Sequence, residues 1–275
     1  MIKRSYSYKV NSSIIKYFLV QALGSFFILY RFIIRKRGVY SLFIVLGLLI
    51  KLGNPPRFIW LPRVIKRLEW YRAIILSTFQ KFPPLLIFSI VGESGVGVLL
   101  LIIIGFIVRG LGGVIQTHLL SLIAFSSMSH VRWVLLGIKL NVYIGWVYFL
   151  VYSLRVMVLF SLLNSLKWYK LRELRGNLLF MGLVIIILIS IAGLPPLLGF
   201  FPKLFIFQSL LDFRVFSVVF ILSFMIFNLD FYSNIVFLVY RKLGLGGRNG
   251  GRISLNFRLY WGAVILIIGG GLIYV

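Results

Sequence analysis

Three lysines lie inside stretches that are otherwise apolar enough to cross a bilayer. They are Lys51 in LGLLIKLGNPP, Lys81 in ILSTFQKFPPLLIF and Lys203 in ISIAGLPPLLGFFPKLFIF. A cation at mid-membrane costs about 2.5–3.5 kcal/mol on insertion scales, so three together cost roughly 7–10 kcal/mol. A chain gains nothing from that cost unless the charges take part in a function. Two of the lysines flank interruptions: Gly53, Pro55 and Pro56 follow Lys51, and Gly193, Pro195, Pro196 and Gly199 precede Lys203. Ionisable groups beside interrupted helices are the expected hardware of ion or proton movement. Breaks also free backbone carbonyls that water solvates only where a cavity exists, which predicts hydrated polar pockets near each lysine.

The elements that position these lysines follow from composition. Hydrophobic residues make up 61% of 275 positions, far above a soluble chain, and several runs exceed the roughly 18 apolar residues needed to span a hydrocarbon core. The runs are continuous and do not alternate every second residue, which excludes an outer-membrane barrel. The expected fold is therefore all-α, a polytopic transmembrane helix bundle of about nine spans. Their cores read 13–30, 38–54, 73–91, 95–111, 118–138, 140–163, 177–209, 213–240 and 257–275. The seventh is too long for one straight crossing, so the Gly193–Gly199 segment should join two helical halves.

A formal net charge of +25 with five acidic residues would suggest nucleic acid in a soluble protein. Here the charges sit between apolar spans, and alternate connections differ roughly threefold in Lys and Arg, which points to topology control. That bias puts the N-terminus inside and the C-terminus outside, with membrane lipid and no nucleic acid as the surroundings. The segment 55–72 reads as an interfacial connection with Trp60, Trp70 and Tyr71 at headgroup depth. The stretch GLGGRNGGR at 244–252 is a basic loop. No strand precedes it, so it is not read as a nucleotide site. With no cysteine, the chain itself provides no disulfide and no haem-thiolate or iron–sulfur ligation.

Five blocks then resemble a known family in order: SIIKYFLVQALGS at 13–25, IKLGNPPRFIWLP at 50–62, STFQKFPP at 77–84, LIAFSSMSHVRW at 122–133 and IAGLPPLLGFFPK at 191–203. They are similar to chain 2 of NADH–ubiquinone oxidoreductase, the antiporter-like membrane subunit of respiratory complex I. The resemblance implies broken helices near Lys51 and Gly193–Gly199, with Lys51, Lys81 and Lys203 translocating protons along the membrane midplane. It also implies a chain without catalytic redox groups, cofactor or metal of its own, the FMN, iron–sulfur clusters and quinone site lying in other subunits. The implied partners are other complex I membrane subunits. The implied place is the mitochondrial inner membrane, with the N-terminus on the matrix side and the C-terminus on the intermembrane side.

The sequence departs from the family in several places. Phe58 stands where the family has histidine, Arg63 where it has glutamate, and Leu120–Ser121 where it has an arginine–lysine pair. The family's Met-Gly before the tryptophan is Val131–Arg132. Its first helices, with a glutamate that pairs with the first lysine, have no counterpart here. Residues 1–275 are thus expected to be a single transmembrane antiporter-like domain without them. Another chain is expected to supply that glutamate, unless the lineage has lost it.

The other polar residues in the spans are open to plainer readings. His130 has the intrinsic pKa for a proton relay, and a helix-packing histidine fits as well. Arg132 and Arg155 read as structural residues reaching lipid or partner carboxylates, and Asp230 as a group packed among polar neighbours, with pairing to a lysine as the alternative. Two rival classes share parts of the pattern. One is a stand-alone cation/proton antiporter, and the other a structural membrane subunit whose transport path has decayed.

Overall fold

The computed structural model describes residues 2–33, 40–55, 57–91, 102, 105, 118–166, 168, 178–193 and 197–211. Every regular element among them is helical. The chain divides into two compact units, Met1–Tyr169 and Lys170–Val275.

In the first unit, α1 (Ile2–Ile33) and α2 (Tyr40–Leu52) run antiparallel. They cross where two residues lack side chains: a Cβ added to Gly47 would meet the Gly24 carbonyl. Without a hydrophobic drive between helices in lipid, such close backbone approach is what holds a pair together. Phe27 stacks on Phe43 at 6.2 Å one turn further along. The other face of α1 exposes Ile15, Phe18, Leu19, Phe26 and Leu29.

After α2 the chain turns into a short α3 (Trp60–Ile65), then α4 (Trp70–Ser77), a 3₁₀ turn (Phe79–Lys81) and α5 (Phe82–Val91). Pro83 and Pro84 fall in the first turn of α5, where their missing N–H groups would have no intrahelical partner anyway. A helical hairpin closes the unit: α6 (Leu119–Leu140) and α7 (Val142–Ser165) turn on the single residue Asn141. The Asn141 N–H donates to the Gly137 carbonyl at 2.8 Å, and its side-chain oxygen accepts from the Tyr143 N–H at 3.0 Å. One asparagine thus stops one helix and caps the next.

Residues Leu119–Ile138 of α6 are all buried, so this helix is the centre of the unit. Its hydroxyls are satisfied within the helix: Ser121, Ser126, Ser127 and Ser129 each donate to the carbonyl three residues back. The second unit contains α8 (Leu178–Ala192) and α9 (Phe201–Leu211). They are the two halves expected from the 177–209 run.

Among the described residues, four helical stretches are long and apolar enough to cross a membrane: Asn11–Tyr30, Trp70–Val91, Leu119–Leu140 and Val142–Ser165. The spans read at 95–111, 213–240 and 257–275 lie outside the described residues, as do Asp230 and the loop at 244–252. One expectation is corrected. Trp60 and Trp70 are not headgroup anchors. Trp70 is 1% exposed and packs on Phe160 at 5.5 Å, while Trp60 is buried and donates its indole N–H to the Ile50 carbonyl at 3.2 Å. Tyr71, by contrast, is 70% exposed.

Candidate functional site

Each of the three lysines sits at a helix interruption. Lys51 lies in the last turn of α2, just before Gly53, whose φ of 74° ends the helix in the left-handed region. The Gly53 N–H donates to the Ile50 carbonyl at 3.1 Å and the Asn54 N–H to the Leu49 carbonyl at 2.8 Å, a Schellman end. The Trp60 indole also reaches the Ile50 carbonyl, and Gln21 on α1 donates to the Lys51 carbonyl at 3.3 Å. Protein donors therefore take the carbonyls for which the sequence had called on water. The polarity left at this break is the Asn54 side chain, which is buried and has no hydrogen-bond partner among the described residues.

Gln21 turns toward Lys51 and not outward, whereas Lys16 on the same helix is exposed. The aliphatic stem of Lys51 passes over Gly24, where a Cβ would strike its Cγ. Lys51 as a whole is half-buried, and its Nζ has no hydrogen-bond partner among the described residues.

Lys81 occupies the 3₁₀ turn between α4 and α5, so its span is interrupted too, which the sequence left open. Thr78, with φ −118° and ψ −76°, departs from helical geometry there, and the Thr78 hydroxyl, the Thr78 N–H and the Ser77 hydroxyl all converge on the Ile74 carbonyl. Only 3% exposed, Lys81 donates from Nζ to the Ser127 carbonyl and to the Tyr152 hydroxyl, both at 3.3 Å. Tyr152 in turn donates to the Ser77 carbonyl at 3.4 Å. The His130 ring stacks on Tyr152 at 5.0 Å, and its Nδ1 is 2.9 Å from the Tyr148 hydroxyl. Tyr148 and Tyr152 are four residues apart on α7 and share its buried face.

Lys203 belongs to the second unit. From the first turn of α9, 2% exposed, it donates across the break to the Ala192 carbonyl at 2.5 Å, the last residue of α8. A cation there also answers the negative end of the helix dipole. Gly193, with φ 81°, donates its N–H to the Ile189 and Ser190 carbonyls, both at 3.1 Å. Of the break residues named from sequence, Gly53, Pro55, Gly193 and Gly199 lie at these turns, while Pro56, Pro195 and Pro196 fall outside the described residues.

The two breaks differ in one testable respect. A Cβ on Gly53 would meet the Leu61 side chain at 3.1 Å, but one on Gly193 would sit on the Lys203 ammonium itself. The left-handed conformation costs an alanine roughly 1–2 kcal/mol at either site. Gly193→Ala should therefore displace Lys203 from the Ala192 carbonyl, whereas Gly53→Ala should act mainly on stability. A structure of the Gly193→Ala variant with Lys203 still bonded to that carbonyl would contradict this.

Arg132 and Arg155 do not reach out to lipid. Arg132 is 1% exposed and lies against Gly105, and the buried Arg155 bonds the Val151 carbonyl one turn back on its own helix at 2.9 Å. Sequence reasoning missed Tyr152 and Tyr148. In a chain with 26 Phe and 14 Tyr, nothing in the sequence sets these two apart from lipid-facing and packing aromatics.

The family model for the NADH:quinone oxidoreductase/Mrp antiporter, TM, matches residues 34–227. An NADH-ubiquinone oxidoreductase chain 2 from Anopheles gambiae is 32% identical over an alignment of 292 residues, which covers 96% of this chain and 82% of that protein. One from Locusta migratoria is 28% identical over 242 residues, 83% of this chain and 71% of that protein. A chain of respiratory complex I from Thermus thermophilus with bound aureothin has the same fold, with a TM-score of 0.71 at 22% identity, over 94% of this chain and 66% of that one.

Proposed function

The chain belongs to the NADH:quinone oxidoreductase/Mrp antiporter transmembrane family, among the NADH-ubiquinone oxidoreductase chain 2 proteins, and from that premise we propose that it translocates protons through Lys51, Lys81 and Lys203 as a membrane-arm subunit of respiratory complex I. The observation that carries this reading is the placement of all three lysines at helix interruptions, two of them almost fully buried. In an apolar surround the neutral amine is favoured, and a nearby carboxylate or water favours the ammonium. A small movement of that partner loads or releases the proton. Breaks are where such movement is cheapest, because the backbone there is not locked into a helical ladder.

In this reading the chain carries no redox chemistry. FMN, iron–sulfur clusters and the quinone site lie in other subunits, and the setting is the mitochondrial inner membrane. His130 is a secondary member, held between Tyr148 and Tyr152 near Lys81. Complex I assembled without this chain should translocate fewer protons per electron in liposomes. An unchanged ratio would remove the proposal.

Lys51 differs from the other two lysines, since it is half-buried with no hydrogen-bond partner for Nζ among the described residues, where Glu69 is the one acid and is exposed. A charge so placed needs a counter-group. We expect a carboxylate from outside the described residues, on a neighbouring complex I subunit, within direct or water-bridged reach of Lys51. A structure of the assembled complex checks this, and Lys51 ringed only by apolar side chains and lipid would contradict it.

A further inference from the structure

The geometry points to Tyr152 as a positioning residue for Lys81, whose single hydroxyl hydrogen follows the charge of the lysine. The hydroxyl stands between two partners. Lys81 Nζ lies at 3.3 Å and the Ser77 carbonyl at 3.4 Å. A phenol has one hydrogen to give and lone pairs to receive. While Lys81 is an ammonium, it donates to the tyrosine oxygen, and the tyrosine must donate elsewhere; Ser77 is the acceptor in place. Once Lys81 is a neutral amine, its nitrogen has a lone pair, and the hydroxyl turns to donate to it and leaves Ser77. The tyrosine keeps its own proton throughout, so it exchanges hydrogen-bond partners and carries no charge itself.

The surroundings fit such a device. The Tyr152 ring is 1% exposed and stacked on His130, so it cannot swing away, and only the hydroxyl torsion is free to respond. Ser77 is the last residue of α4, beside the non-helical Thr78. Loss of a donor to its carbonyl falls on the interruption that carries Lys81. A change of charge at the lysine is thereby passed to the backbone that positions it. His130 gains a defined part as well, as the surface that fixes the tyrosine ring, with Tyr148 fixing His130 in turn.

This inference rests on the reading of Lys81 as a proton-loading group, and the experiment separates the two. Complex I containing ring-¹³C-labelled tyrosine is examined by redox-induced infrared difference spectroscopy, and proton-coupled quinone turnover is measured on the same samples. Assembly is monitored by NADH oxidation with an artificial acceptor. The expected result is a tyrosine C–O band pair that vanishes in Tyr152→Phe and in Lys81→Ala but survives in Tyr143→Phe, a residue exposed on α7. Tyr152→Phe should also lower coupled turnover about tenfold, the size of one lost hydrogen bond to a charged group. A band pair that persists in Tyr152→Phe or in Lys81→Ala would overturn the inference, as would wild-type turnover in Tyr152→Phe. If Lys81→Ala pumped normally, the role of Lys81 itself would fall and this inference with it. Loss of pumping in Lys81→Ala, with no tyrosine band pair in the unaltered complex, would overturn this inference alone.

Discussion

Lys203→Ala should reduce proton-coupled quinone turnover of the assembled complex by about a hundredfold or more, the scale on which positioned proton-transfer groups contribute. NADH oxidation by an artificial acceptor should persist, because no redox centre is touched. The size of the effect follows from the contact. Lys203 is the group that bridges the interruption between α8 and α9, donating to the Ala192 carbonyl from within a 2% exposed site. Its removal takes away a transferable proton and a donor to the end of α8 together. Simultaneous loss of both activities would indicate failed assembly, which subunit composition on native gels would reveal.

Lys81→Arg should be nearly as damaging as Lys81→Ala. An arginine keeps the positive charge and can still donate to the Ser127 carbonyl and the Tyr152 hydroxyl, the two partners of Lys81. It does not give up its proton, because a guanidinium stays charged under all physiological conditions. If the site needs only a fixed cation, arginine restores function. If it needs a group that cycles between charged and neutral, arginine fails. We expect both variants to fall about a hundredfold below the unaltered complex, within about threefold of each other. Recovery to wild-type turnover in Lys81→Arg would show that Lys81 acts as a static charge.

What was legible in the sequence, and what was not, follows from how each feature is encoded. Lys51 and Lys203 stood out because an ionised side chain in a long apolar run is expensive, and because glycine beside it has a conformational meaning. Both Gly53 and Gly193 adopt the positive φ that other residues avoid. The Gly193–Gly199 interruption and the two helical halves around it followed from the length of the run together with the glycines and prolines inside it. By contrast, the surroundings of Trp60 and Trp70 were not legible. Lipid and protein interior are equally apolar, so a tryptophan in a basic connecting segment reads the same whether it faces headgroups or packs on Phe160.

The partners of the freed carbonyls were hidden for a similar reason. Water was the generic answer, whereas the fold brings Gln21 from thirty residues away and Trp60 from ten to do the work. The interruption at Lys81 was only half visible. Pro83 and Pro84 after Lys81 left a helix-end placement in competition with a continuous span, but the 3₁₀ turn before them involves hydroxyl and amide donors that gather on the single Ile74 carbonyl. Tyr152 had no signal of its own, since its position matters only once α4 and α7 are side by side.

The most direct test of the account is the number of protons translocated per electron by complex I in sealed liposomes, with Lys81→Ala and Lys203→Ala combined and assembly verified by artificial-acceptor activity. The ratio should fall at whatever residual rate of quinone reduction remains, because electrons still reach quinone while this chain no longer loads and releases its protons. A ratio equal to that of the unaltered complex would contradict it, and would leave these two buried lysines as structural groups in a membrane scaffold.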